Sequence, residues 1–105
     1  MKVTNRQAGD LVRMREEFTT ANGTIFSRWE TPFCYVVYSY GEHWPLHIWD
    51  RGQWYSNADR YSVTTSRHFG LTHPGINVSI PLPCVEMIAK VNDARRLARE
   101  MRCAA

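Results

Sequence analysis

Two periodicities run along the chain. After Thr4, residues Ala8, Leu11, Val12, Arg15 and Phe18 recur at helical spacing, with Arg15 supplying an alkyl stem at the edge of the stripe. Thr4-Asn5-Arg6-Gln7 has the form of a capping box, in which the Thr hydroxyl accepts from a backbone N–H three residues on and the Gln reaches back. Together they predict an N-terminal helix. Gly9 and the charges Arg13, Glu16 and Glu17 weaken it, and a strand through Met14, Glu16 and Phe18 is the competing reading.

Beyond Asn22-Gly23, a turn signal because both residue types tolerate positive φ, the period falls to two. Thr24 to Glu30 predicts a strand with Ile25, Ser27 and Trp29 on one face and Phe26 and Arg28 on the other, ended by Pro32. Phe33 to Tyr40 is the strongest strand. Both of its alternating sets, Phe33/Tyr35/Val37 and Cys34/Val36/Tyr38/Tyr40, are largely apolar, which places it in the middle of a sheet. Gly41 to Pro45 reads as a turn and Leu46 to Asp50 as a short strand. Asp50-Arg51-Gly52 is a hairpin turn, and Gln53 to Ser56 returns. Tyr61, Val63 and Thr65 alternate with Ser62, Thr64 and Ser66 as a half-exposed strand.

Phe69 to Pro83, with two Gly and three Pro, reads as a loop or an extended edge segment covering the sheet. From Cys84 the helical period returns through Met87, Ile88, Val91, Ala94, Ala98 and Met101, with Pro83 and Glu86 suited to a helix start, and predicts a helix over 84–102. The expected architecture is one α+β domain over 1–105. It consists of an antiparallel β-meander of about five strands with an N-terminal helix and a longer C-terminal amphipathic helix.

Composition agrees with one domain: 105 residues, 44% hydrophobic and 22% charged. The longest apolar run, near Tyr35 to Tyr38, is too short to span a membrane, and the N-terminus lacks the apolar segment of a signal peptide, so a cytoplasmic chain with no membrane partner is expected. Three cysteines, Cys34, Cys84 and Cys103, form no C-x-x-C pair, so a thiolate zinc site is not expected. Thirteen cations against ten anions give a net charge of +3. That charge is unevenly placed: residues 32–83 carry three of each sign, whereas residues 84–105 carry five cations and three anions. All thirteen aromatics lie between Phe18 and Phe69. The picture becomes a neutral aromatic sheet carrying a basic helix.

Candidate chemistry is sparse. All four histidines fall between positions 43 and 73, but Pro45 between His43 and His47 breaks a helical metal-binding face, and neither a metal nor a cofactor is expected. Ser62, Thr64, Thr65, Ser66 and His68 lie close in sequence and would need His43 nearby, and an oxyanion hole, to act as a nucleophilic centre; a Thr/Ser-rich strand is far more often a polar face with cross-strand hydrogen bonds. Arg95, Arg96, Arg99 and Arg102 form a basic helix face that could meet phosphate or an acidic protein, although a solvated face with cations near a helix C-terminus is the commoner meaning of such a stripe. Trp29, Trp44, Trp49 and Trp54 are hard to bury completely in so small a core, so some are expected at the surface.

Tyr38-Ser39-Tyr40-Gly41-Glu42-His43-Trp44-Pro45 and Tyr61-Ser62-Val63-Thr64-Thr65-Ser66-Arg67-His68 resemble a recurrent pair, Y-S-Y-G-x-H-x-P followed by Y-S-V-T-T-S-[KR]-H, in small proteins of bacteriophages and mobile elements. The resemblance covers roughly residues 22 to 70. It implies a phage-like context and a shared binding patch at Tyr38, Tyr40, His43, Tyr61, Thr64, Thr65 and His68, and it transfers no catalytic role. The expected function is a non-enzymatic interaction protein that binds a host or phage protein, of the kind that inhibits a host defence system such as CRISPR. A single-stranded nucleic-acid-binding accessory protein and a small hydrolase or nuclease using His43 and His68 with Thr65 or Ser66 are the alternatives, and a homodimer is left open.

Overall fold

The computed structural model describes residues 2–21, 23–59, 72, 74 and 79–103. Among the described residues seven strands are present: β1 (Lys2–Val3), β2 (Phe18–Thr20), β3 (Ile25–Thr31), β4 (Cys34–Ser39), β5 (Pro45–Asp50), β6 (Gln53–Asn57) and β7 (Ser79–Leu82). They are accompanied, among the described residues, by the helices α1 (Asn5–Arg13) and α2 (Cys84–Cys103). The strands form one sheet in the order of the chain. The class is α+β as expected, but the five-stranded antiparallel meander is corrected to a seven-stranded mixed sheet, because β1 pairs with β2 and β6 with β7 in parallel. Parallel neighbours need a crossover rather than a hairpin, and α1 supplies the one between β1 and β2. The segment from Phe69 to Pro83 therefore ends in an edge strand. The strand expected over Tyr61 to Ser66 lies outside the described residues.

The capping box is formed: the Gln7 backbone N–H donates to the Thr4 hydroxyl at 3.3 Å, and Gln7 Oε1 accepts from the Thr4 N–H at 3.0 Å. The helix stops earlier than its periodicity predicts. Arg15 adopts φ 56°, and the N–H groups of Arg15 and Glu16 turn back to the carbonyls of Val12 and Leu11 at 3.0 and 2.9 Å. This is a helix end usually carried by glycine. Arg15 tolerates it because tertiary contacts hold it: its guanidinium lies 4.6 Å from the centre of the Trp49 ring, and its carbonyl accepts from Trp29 Nε1 at 3.1 Å. Phe18 thereby moves from the helix stripe into β2.

The sheet has a helix on each face. On the α1 side, Ala8, Leu11 and Val12 pack with Phe18, Ile25, Tyr35, Val37, Leu46 and Trp54. On the α2 side, Met87, Val91 and Ala94 pack with Cys34, Val36, Tyr38 and Ile48. Every residue of β4 is buried, as its two apolar faces predict. Burial pushes the Cys34 thiol up to about 12, with the nearby Asp50 and Glu30 charges adding to it. At the β5–β6 hairpin Arg51 and Gly52 both have positive φ, 49° and 92°, the geometry of a two-residue turn that matches strand twist. A register shift between Val37 and Tyr38, where β4 meets β5, sends Leu46 and His47 to the same side of the sheet as Val37. His47 is fully buried there, its ring nitrogens 2.9 Å from Ser56 Oγ and 3.0 Å from Thr72 Oγ1.

Candidate functional site

The chemistry of the described surface gathers on the α2 side, at the end of the sheet where β3 turns into β4. The alternation of β3 sends Phe26, Arg28 and Glu30 to this face. Tyr38 lies across from Phe26 in register, their ring centroids 5.1 Å apart and the rings stacked. Glu30 is the hub. Its Oε1 accepts from the Tyr38 hydroxyl at 2.5 Å and from Arg28 Nε at 2.7 Å, and its Oε2 accepts from Arg95 Nε and Nη2 at 3.2 and 3.0 Å. Glu42, in the turn after β4, receives Arg95 Nη2 at 3.0 Å and also pairs with Arg28.

The electrostatics follow from this crowding. Burial works against a charge on Glu30, but the hydrogen bonds from Tyr38, Arg28 and Arg95 outweigh it and hold the carboxyl below its ordinary value. Burial, and then the neighbouring carboxylate, push the Tyr38 phenol well above its usual range, so it serves as a hydrogen-bond donor. Arg28 and Arg95 are raised as well: partial burial opposes their charge, and the bonds to Glu30 more than restore it.

Two groups of residues that the sequence separates thus meet here. Tyr38 of the first motif and Arg95 of the basic helix share one carboxylate. Tyr38 is completely buried and belongs to the structural network. Tyr40 is 52% exposed with φ 62°, its backbone N–H held by the Thr24 carbonyl at 2.8 Å. His43 is exposed, and its carbonyl accepts from the Cys84 thiol at 3.8 Å, tying the turn to the start of α2. Tyr61, Thr64, Thr65 and His68 lie outside the described residues, as does Ser66. Arg96 pairs with Asp93 at 3.3 Å on the exposed side of α2.

The glycine of the first motif has a physical reason. Gly41 sits at φ 144°, and a Cβ there would lie 3.0 Å from His43 Nδ1. Gly41→Ala is expected to cost about 1–3 kcal/mol, the usual penalty of a side chain forced into such backbone. Thermal or urea unfolding measures it, and an unchanged midpoint would contradict this reading of the turn.

Beside the Glu30 hub is an open groove of about 820 Å³ between the β3–β4 turn and the C-terminal half of α2. Thr31, Pro32 and Phe33 form one wall, and Asn92, Arg95, Ala98, Arg99, Met101 and Arg102 form the other. Met101 is 58% exposed. Among the described residues, neither Arg99 nor Arg102 has an acidic partner. The helix face read from the sequence therefore divides: Arg95 and Arg96 are neutralised within the fold, and Arg99 and Arg102 are open. Sequence reasoning missed Glu30, Glu42, Phe33 and Met101 as members of this site. The available signal for Glu30 was an acid on the same alternating face of the strand as Phe26 and Arg28.

The four tryptophans pack on the α1 side with Tyr35. Trp29 stacks obliquely on Tyr35 at 5.4 Å and edge-on to Trp49 at 5.8 Å, and Tyr35 meets Trp54 at 6.2 Å. Trp54 is buried, whereas Trp29, Trp44 and Trp49 are half-buried. Among the described residues no group of three or more His, Cys, Asp or Glu side chains is arranged to hold a metal ion, and no helix is long and apolar enough to cross a membrane. Comparison with protein-family models, with curated proteins and with solved structures finds no match.

Proposed function

We propose that this chain is a non-enzymatic interaction protein of phage or mobile-element type. It works in the host cytoplasm by binding a host protein, and a component of a defence system such as CRISPR is its target. The resemblance of Tyr38–Pro45 and Tyr61–His68 to the paired phage motif supports the context. The observation that carries the binding reading is the groove beside α2, where exposed apolar side chains adjoin guanidinium groups with no acidic partner among the described residues. Arginine beside apolar and aromatic surface is the composition of binding hot spots, since a planar cation and an apolar wall together discriminate among partners.

The test is affinity capture with the tagged chain from a lysate of a bacterial host carrying an active defence system, before and after nuclease treatment. One defence protein recovered in near-equal amount, with or without nuclease, is the expected result. Recovery of no stoichiometric protein overturns the reading. Recovery of nucleic acid alone replaces it with the accessory nucleic-acid-binding function.

A further inference from the structure

We infer that the groove between the β3–β4 turn and the C-terminal half of α2 takes an acidic segment of the partner protein, anchored by an apolar side chain. The inference rests on the reading of the chain as a protein-binding module and adds the chemistry of the occupant. Charge complementarity selects it. Arg95, Arg99 and Arg102 succeed one another along one side of α2 at the groove, and the one acid lining it among the described residues, Glu30, is already shared among Tyr38, Arg28 and Arg95. The opening thus presents two cations, Arg99 and Arg102, with no acidic partner among the described residues.

The opposite wall is Pro32 and Phe33, and Met101 overhangs the rim. A carboxylate-bearing chain satisfies the arginines with paired hydrogen bonds, while a neighbouring Leu or Phe removes Phe33 and Met101 from water. A nucleic-acid strand fits less well. It gains most of its affinity beyond phosphate contacts from several stacking rings, and this groove offers one, Phe33. Glu42 shows the mode of recognition within the molecule itself, as an exposed carboxylate engaged by Arg95 at 3.0 Å.

The probe is a fluorescein-labelled peptide alternating Asp or Glu with Leu and Phe, compared with its Lys-substituted counterpart and with a labelled oligo-dT, by fluorescence anisotropy against the whole chain. The acidic peptide is expected to bind, the Lys peptide not, and oligo-dT more weakly than the acidic peptide. Arg99→Glu with Arg102→Glu, both at exposed positions, is expected to weaken the acidic peptide at least tenfold, Met101→Ala about threefold, and salt to lower its affinity. Equal binding to the double variant, no binding of the acidic peptide, or tighter binding of oligo-dT overturns the inference. A lysate protein captured undiminished by the double variant overturns it while leaving the protein-binding reading intact. Peptide binding without any captured protein does the reverse.

Discussion

Glu30→Ala is expected to destabilise the protein by about 3 kcal/mol, because it removes the acceptor of a nearly buried ion and hydrogen-bond network. The carboxylate is 8% exposed and receives four bonds from three residues. Its loss strands the Tyr38 hydroxyl within the α2-side core. It also leaves Arg28 and Arg95, which are half-exposed and recover part of their hydration, so the cost falls at the low end of the range for broken buried pairs. Tyr38→Phe removes a single bond to a charged acceptor and is expected to cost about 1.5–2 kcal/mol. In a double-mutant cycle the two changes are expected to be strongly non-additive, since both act on the same bond.

The same network sets a pH dependence. The folded-state value of Glu30 lies below the ordinary 4.5, so the folded protein binds this proton less readily than the unfolded chain does. Its contribution is therefore complete above the unfolded value and is lost as pH falls through the folded one. The difference in stability between the native chain and Glu30→Gln, from urea unfolding, is expected to be level above about pH 5 and to shrink below it. A difference that grows on acidification would show that the carboxylate is not held as described.

Tyr35→Ala is expected to cost about 4 kcal/mol, the usual loss when a large aromatic is removed from a close-packed core. Tyr35 is fully buried on the central strand, touching the rings of Trp29 and Trp54. Its hydroxyl donates to the Glu16 carbonyl at 2.7 Å and lies 2.9 Å from Ser27 Oγ, joining the sheet to the chain that leaves α1. Tyr35→Phe keeps the ring and loses only those bonds, so it is expected to cost about 1–2 kcal/mol. Equal midpoints for the two variants in urea unfolding would show that the hydroxyl, rather than the ring, carries the residue's contribution.

The central elements were legible in the sequence because their signals are local. The period of two through β3 and β4 separated Ile25 and Ser27 from Phe26 and Arg28, and the structure puts these pairs on opposite faces. The capping box at Thr4 and the stripe from Cys84 to Met101 located both helix starts. The edge strands were not legible. β1 has two residues and β7 has four, too few for a period to register, and each is made a strand by pairing with a remote partner. The end of α1 was hidden for a related reason: Arg15 carries no stop signal, and Trp29 and Trp49 hold its backbone in place.

The sequence by itself determined the alternation of faces, the double burial of β4, and the division into a neutral aromatic sheet and a basic helix. These follow from side-chain direction and hydrophobic burial, which repeat every two or every three to four residues. Tertiary structure alone decided which arginines are open. Glu30, 65 positions before Arg95, reaches it only when α2 lies across the sheet, and the same packing sets Arg99 and Arg102 along the groove with no acidic partner among the described residues. A charge's partner is set by distance in space, and no local period encodes that.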